Sequence, residues 1–414
     1  MRLEKYTFGI GDRFAHQGKA QLNALIKTEK AGVHVAPVWN KSFREHQTVG
    51  SNHAETKKEA DEAINALNWP GNYYVDADHI NLSNVEEFLD YANFFTIDVA
   101  DHIGKKADED EISKFVESNS SLIGRTKIPG IESDEEITEE IIRKIGEKYL
   151  YAAQKAGEVY RFIADQKGEE NFVAEVSMDE TDYPQTPTEL LIILSALAHQ
   201  KIMLQTLAPK FSGRFNKGID YVGDISQFEK EFEADIQIVD FAVKEFGLPE
   251  NLKLSIHTGS DKFSIYPVIE KIIRKYDKGI HVKTAGTTWL AEVIGMCLAG
   301  DDGFKVAKKI YHTAYDQVES LTEAYAAVID IDHSLLPTPE KVNKWNAEEF
   351  VNALRHVPGY PEYNPHFRQL MHVSYKIAAQ LGSEFTNMLK KYENTIAAEV
   401  TENLFEGHIK RLFF

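Results

Sequence analysis

The sequence contains one cysteine, Cys297, among its 414 residues. It therefore cannot form an intrachain disulfide bond or a cysteine-based zinc site. No apolar run approaches the roughly 20 residues that span a bilayer, and the first residues, MRLEKY, do not resemble a signal peptide. These absences predict a cytoplasmic protein that does not associate with a membrane.

Positive charge is also scarce. The chain has 46 lysines and arginines against 65 aspartates and glutamates, which gives a formal net charge of −19. Such a surface repels phosphates, so nucleic acids and anionic membranes are unfavourable partners. An anionic small substrate is still compatible with this balance, because a basic cluster or a bound cation can reverse the local field in a cleft.

Several catalytic signatures are missing as well. No Gly-x-x-x-x-Gly-Lys-Ser/Thr loop is present, which disfavours nucleotide binding. The segment from Gly9 to Gly11 lacks the third glycine of a dinucleotide fingerprint. No Gly-x-Ser-x-Gly elbow occurs, and Cys297 lies in an apolar stretch, so nucleophilic hydrolysis is disfavoured.

Eight short strand-like segments alternate with helical segments along the chain, and most of them are apolar runs. They lie near residues 6–11, 33–39, 73–78, 94–99, 172–178, 203–207, 252–257 and 279–283. Continuous apolar runs are typical of parallel strands that are covered on both faces. Eight such β-α units predict an α/β protein with a (β/α)8 TIM-type barrel. Ser83 with Glu86 and Thr186 with Glu189 predict capped helices after the third and fifth runs.

Two stretches lengthen this barrel. Residues 105–170 are rich in charge and predict a helical insertion between the fourth and fifth strands. Residues 301–414 predict a helical C-terminal extension packed on the barrel. The barrel then consists of residues 1–104, with strands one to four, and residues 171–300, with strands five to eight.

Histidines and carboxylates recur where the predicted strands end. Asp78 and His79 close the third run, Glu175 lies within the fifth, His257 ends the seventh, and His281 lies in the eighth. In a parallel barrel such ends converge on one mouth. A buried carboxylate needs a metal, a cationic partner or a raised pKa. Imidazoles with carboxylates suit Zn, Mn, Ni, Co or Fe, so we predict a divalent metal site with acid/base groups.

Further polar residues follow other strands. Asp220 lies in a glycine-flanked loop after the sixth strand, where it is either a metal ligand or a turn-capping aspartate. The segment from Thr284 to Thr288 precedes a predicted helix, whose first amide groups favour anions. We predict these substrate-binding residues near the mouth: Arg13, Lys41, Lys262, Lys283, Thr284, Gly286 and Thr287.

Five blocks of this sequence resemble the tagaturonate epimerase family. They are EVSMDET at residues 175–181, KGIDYVGD at residues 217–224, LSIHTGSDKFS at residues 254–264, HVKTAGT at residues 281–287 and RQLMHV at residues 368–373. The resemblance implies an isomerase that uses a divalent metal to interconvert D-tagaturonate and D-fructuronate at carbon 4. It also implies that Asp78 is the proton acceptor and Glu175 the proton donor. The implied metal ligands are His79, Asp220 and His257, with His281 as the alternative to Asp220.

The implied reaction has a specific chemical requirement. Carbon 4 of a 2-ketohexuronate is β to the ketone, so its proton is not acidic enough for simple removal. A retro-aldol route, in which the C3–C4 bond breaks and re-forms on the other face of the aldehyde, avoids this problem and needs two acid/base groups. Two alternatives stay open: another metal-dependent sugar epimerase, isomerase or aldolase that acts on a ketose or sugar acid, and a non-catalytic sugar-binding barrel.

Overall fold

The computed structural model describes residues 1–125, 127–131, 136–284, 286–357 and 359–414. Within these ranges, eight parallel strands pair in chain order and close into a barrel. They are β1 (Tyr6–Ile10), β2 (Ala36–Ser42), β3 (Tyr74–Ile80), β4 (Phe94–Asp98), β5 (Val173–Ser177), β6 (Leu204–Ala208), β7 (Lys253–His257) and β8 (Ile280–Lys283). The predicted (β/α)8 fold class is therefore confirmed.

The strand limits follow the predicted apolar runs closely, with one shift at β2. This strand begins at Ala36 instead of near Val33, because the Val33 amide donates to the carbonyl of Thr28 and completes the end of the first helix. The ring closes where β8 pairs with β1, with Thr7 opposite His281.

Helices surround the barrel. The α-helices of the described residues are α1 (Gly18–Lys30), α2 (Phe43–Val49), α3 (His53–Leu67), α4 (Glu109–Ser118), α5 (Glu139–Lys167), α6 (Pro187–His199), α7 (Ile225–Phe246), α8 (Tyr266–Lys275), α9 (Thr287–Ala299), α10 (Asp301–Asp316), α11 (Val318–Thr322), α12 (Pro339–Asn343), α13 (Ala347–Leu354), α14 (Pro365–Val373), α15 (Tyr375–Leu381), α16 (Ser383–Lys391), α17 (Glu393–Glu402) and α18 (Lys410–Phe413). Among them, none combines the length and the apolar character that crossing a bilayer requires.

The two predicted helix starts have different outcomes. Thr186 and Glu189 form the expected capping box at the start of α6. Ser83 does not cap an α-helix, and that prediction is wrong. Its hydroxyl donates to the side chain of Asn81 in a local turn, and the segment forms only a short 3-10 helix, Val85–Phe88.

The described residues of both stretches, 105–170 and 301–414, contain several helices. Within residues 105–170, the long helix α5 packs against β4 and α6, where a barrel helix between β4 and β5 belongs. Beyond residue 300, α17 packs against α9 and α1 on the outside of the barrel. The division into four stretches stays a prediction.

Candidate active site

Lys283, at the end of β8, lies at the centre of a carboxylate cluster in the barrel mouth. Its Nζ is 2.7 Å from Asp76, 3.0 Å from Asp78 and 2.9 Å from Glu175. It also donates to the Thr96 hydroxyl at 2.5 Å. Burial opposes the charged form, but the three carboxylates raise the pKa of Lys283 well above its usual value. The protonated lysine therefore holds carboxylates from β3 and β5 together.

The pKa values of the three carboxylates are shifted in different directions. Burial raises the pKa of Asp76 to about 7, in spite of the nearby lysine. Burial also opposes ionisation of Glu175, but Lys283 and His257 hold its pKa well below the usual value. The pKa of Asp78 is lowered for a similar reason, since burial is outweighed by Lys283 and other neighbouring cations. Glu175 and Asp78 thus ionise more readily than Asp76.

His257, at the end of β7, joins two of the acids in this mouth. Its Nε2 lies 2.8 Å from Glu175 Oε1, and its Nδ1 lies 3.2 Å from Asp179 Oδ2. Asp179 is oriented by the hydroxyl of Ser177, which donates to it at 2.5 Å. Burial disfavours the imidazolium, yet Asp179 and Glu175 raise the pKa of His257 to about 9. Strong anionic surroundings of this kind favour either a proton or a metal cation on the ring.

His79 reaches the same place through an irregular strand end. The pairing of β3 with β4 shifts register between Ala77 and Ile80, and His79 adopts a φ of 56°. A left-handed backbone is costly for a residue with a Cβ, and such strain is typical of functional sites. The ring at this bulge has its Nδ1 3.3 Å from Asp98 Oδ2 at the end of the neighbouring strand β4.

The described residues include two groups whose donor atoms suit a divalent cation. His79, Asp179 and His257 each offer one such atom, and these lie within 4.8 Å of one another. His79, Asp98 and Glu180 satisfy the same condition. Two imidazoles with one carboxylate are ligands that first-row transition metals and zinc accept, with positions left for substrate.

An unpartnered acceptor lies beside the first group. Glu175 is fully buried, and within the described part of the chain its Oε2 has no hydrogen-bond partner. A buried ionised oxygen without a partner is costly, which indicates that a ligand completes the site. The donor set and this acceptor therefore fit a bound cation with a hydroxylated substrate.

Asp220 and His281, the other two predicted metal ligands, lie elsewhere. The Asp220 carboxylate accepts from the hydroxyl and the amide of Ser264, at 2.9 and 3.1 Å, so it ties the loop after β6 to the loop after β7. His281 is fully buried inside the barrel, with Nδ1 2.8 Å from the Thr7 hydroxyl. It pairs in register with Ser255, two residues before His257, and is therefore deeper than the mouth.

Sequence reasoning did not single out Asp179, whose carboxylate belongs to the first donor group. Its signal was available, because it follows β5 directly and belongs to the block EVSMDET. Nothing in the sequence distinguishes it from Asp220, since each is an aspartate in a polar segment after a strand.

Arg13 and Lys41 lie together at the end of β1 and β2. Lys41 Nζ donates to the Arg13 carbonyl and to the Ser51 hydroxyl, both at 2.7 Å. These hydrogen bonds fix the loop that carries Arg13. Arg13 donates from Nε to Glu45 at 2.9 Å and stacks over the ring of Tyr375 at 4.1 Å.

Lys262 and Thr287 form hydrogen bonds with other residues of the protein. Lys262 Nζ is buried and donates to the carbonyls of Asn216 and Ile219, at 3.0 and 2.8 Å. Burial lowers its pKa to about 7. The Thr287 hydroxyl donates to Asp261 at 2.8 Å. Both residues shape the loops around the mouth.

The predicted anion-binding segment before α9 is only partly described, because Ala285 lies outside the described residues. The Thr284 hydroxyl donates to the carbonyl of Gly9 at 3.3 Å. A Cβ at Gly286 would lie 2.2 Å from the carbonyl oxygen of Gly259, so only glycine fits this close approach.

Comparison with known proteins identifies the family of this chain. A model of the tagaturonate epimerase family matches residues 1–412. The chain belongs to the tagaturonate epimerase family. It is therefore an enzyme of the isomerase class, as the sequence blocks implied.

Relatives in this epimerase family align with nearly the whole chain. A Thermotoga maritima protein named tagaturonate/fructuronate epimerase is 28% identical over 419 residues, covering 98% of this chain and 79% of the relative. A glycerol-complexed crystal structure of fructuronate-tagaturonate epimerase from Cohnella laeviribosi has a TM-score of 0.79 at 25% identity, covering 100% of this chain and 82% of that one. The native crystal structure of the same enzyme has a TM-score of 0.77 at 24% identity, covering 99% and 81%.

Proposed function

We propose that this chain interconverts D-tagaturonate and D-fructuronate by epimerisation at carbon 4, with a divalent cation bound by His79, Asp179 and His257. Membership in the tagaturonate epimerase family supports the substrate pair. The observation that carries the proposal is the convergence of two imidazoles and the Lys283-centred carboxylates on one mouth. A bound cation would supply Lewis-acid stabilisation to oxygens next to the substrate ketone.

The two ionised carboxylates supply the proton transfers. Asp78 accepts the proton of the C4 hydroxyl as the C3–C4 bond breaks, which leaves an aldehyde at C4 and an enediolate on carbons 1 to 3. The aldehyde turns its other face, the bond re-forms, and Glu175 delivers a proton to O4. Each acid/base group contributes about 10²- to 10⁴-fold to such a step.

Lys283 connects the two carboxylates during this cycle. Its Nζ lies 3.0 Å from Asp78 and 2.9 Å from Glu175. A proton accepted by Asp78 can therefore reach Glu175 through the ammonium group, which donates one proton as it receives another. This relay explains how Glu175, which is ionised before reaction, becomes the proton donor.

The route is tested by NMR with purified protein and D-tagaturonate in D2O. We expect D-fructuronate to form with protium retained at carbon 4, because a retro-aldol cleavage never breaks the C4–H bond. Deuterium at carbon 4 would instead show removal and return of that proton. A parallel panel of neutral ketoses and sugar phosphates separates the epimerase from other metal-dependent sugar enzymes, since conversion of those compounds without conversion of uronates contradicts the proposed substrate.

A further inference from the structure

His372, on α14 of the C-terminal extension, is a buried histidine outside the proposed cation site. Its side chain is almost fully buried, and neither ring nitrogen has a hydrogen-bond partner within the described ranges. Two glycines make room for it between the loops after β6 and β8. A Cβ at Gly286 would lie 2.6 Å from Nε2, and one at Gly218 would lie 3.2 Å from the histidine Cβ. A buried imidazole that lies beside two barrel loops without a hydrogen-bond partner indicates that a bound ligand completes this place.

Positive charge surrounds this ring. Burial, together with the charges of Arg13 and Lys217, holds the pKa of His372 well below its usual value. Arg13 is itself 6% exposed, and among the described residues its Nη1 finds no acceptor. The Arg13 guanidinium donates to Glu45 from Nε, and its buried Nη1 has no acceptor in the described part of the chain. It can therefore donate to a second carboxylate.

Lys217 adds a second cation from the loop after β6. Its Nζ lies 5.2 Å from the centre of the Tyr325 ring, and Lys376 lies 4.8 Å from the same ring. The hydroxyls of Tyr325 and Tyr375 are 3.1 Å apart, which joins this aromatic wall to the ring under Arg13. The C-terminal extension thus supplies the wall on which the cations rest.

The carboxylates near these cations include Glu45, Glu180 and Glu292, and burial raises the pKa of Glu292 well above its usual value. Burial lowers the pKa of Lys217, and Arg13 and Arg44 lower it further, while Glu45 and Glu180 oppose the shift. Glu180 also belongs to one of the two donor groups with His79, so the cations adjoin the catalytic mouth. An added anion would relieve the repulsion among them.

We propose that Arg13, Lys217 and His372 bind the carboxylate of the substrate, so that the C-terminal extension gives the enzyme its preference for sugar acids over uncharged sugars. This proposal rests on the proposed function, because it assumes that a uronate reacts in the adjoining mouth. The guanidinium, the ammonium group and one imidazole N–H supply donors of the kind that recognise a carboxylate.

The test compares D-galactonate with galactitol, a pair that differs in carrying or lacking a carboxylate, by isothermal titration calorimetry on the metal-loaded protein. The variants are His372→Gln and Lys217→Met. Arg214→Met is the matched control, because Arg214 is a cation of the same loop whose Nη1 lies 3.2 Å from the exposed Asp330. We expect wild type and control to bind galactonate more tightly than galactitol, and each variant to lose about 10- to 100-fold in galactonate affinity only.

Three results would overturn this assignment. The first is equal affinity of the wild type for galactonate and galactitol. The second is unchanged galactonate affinity in folded variants, with folding checked by circular dichroism. A variant that loses affinity for both compounds equally also counts against it, since the carboxylate is then not what the side chain recognises. The proposed function is tested separately, because absence of uronate conversion by the wild type would contradict that function while leaving the binding comparison intact.

Discussion

The rings of His79 and His257 lie 5.3 Å apart, centroid to centroid, and meet edge to face across the barrel mouth. One comes from a bulged end of β3 and the other from the regular end of β7. Their proximity is the relationship on which the proposed cation site depends, since two imidazoles far apart in sequence must share one ion.

The choice of the third ligand is testable by metal analysis. Asp179→Asn should lower metal affinity by at least about 10-fold, because it removes a ligand charge next to His257. Asp220→Asn is the matched control, since Asp220 is held by Ser264, and it should keep the metal content of the wild type. Metal content is measured by mass spectrometry after dialysis. The opposite ranking of the two variants would restore Asp220 as the ligand.

Removal of the metal should abolish turnover. Exhaustive chelation followed by gel filtration is expected to give inactive protein, because the substrate oxygens lose their Lewis acid. Adding back Zn, Mn, Ni or Co one at a time should restore activity and identify the effective ion. Full activity in protein shown by mass spectrometry to be metal-free would exclude a metal-dependent mechanism.

Glu175→Gln should reduce kcat by about 10²- to 10⁴-fold while the protein keeps its metal. The amide preserves the size of the side chain but cannot deliver a proton, so substrate affinity should change less than turnover. Steady-state kinetics with both uronates checks this, together with metal content. A variant with the wild-type rate would remove Glu175 from the mechanism.

Asp261 should be important for stability. Its buried carboxylate lies 2.6 Å from Arg368 and 3.2 Å from His356, so it joins the loop after β7 to the C-terminal extension. Asp261→Asn leaves a buried guanidinium without its counter-charge, and the free energy of unfolding should fall by about 3–5 kcal/mol. Asp330→Asn, which breaks an exposed ion pair with Arg214, should change it by no more than about 0.5 kcal/mol. Urea unfolding of both variants provides the comparison.

The free energy of unfolding should depend on pH through Lys253. This lysine is buried at the start of β7, where burial lowers its pKa from 10.5 to about 7. Between these values the unfolded chain binds more protons than the folded protein, so this residue makes stability rise as the pH increases. The slope should approach about 1.4 kcal/mol per pH unit relative to Lys253→Met. Urea unfolding of both proteins at pH 7 and pH 9 measures it, and parallel curves would contradict the shift.

Much of the fold was predictable from local pattern. Most strands are largely apolar runs because both of their faces are covered, and this pattern is local to each segment. The capping box of Thr186 and Glu189 is equally local. The failure at Ser83 shows the limit, because a competing turn with Asn81 uses the same side-chain chemistry.

The site was only partly predictable. Asp78, Glu175, His79 and His257 were expected at one mouth because strand ends converge, and they lie there. Lys283 was expected to face substrate, but its main contacts are with three carboxylates. The anion-binding candidates were distributed over several loops, and the sequence alone did not place His372 beside Arg13.

The sequence by itself determined the barrel and the family, because hydrophobic periodicity and short blocks of residues are properties of contiguous chain. The tertiary structure alone decided that Asp179 and not Asp220 lies beside His257, that His79 lies at a bulge beside Asp98, and that a C-terminal helix reaches the loops after β6 and β8. Those distances depend on register, strand curvature and loop path around a closed ring, and no local stretch of sequence encodes them.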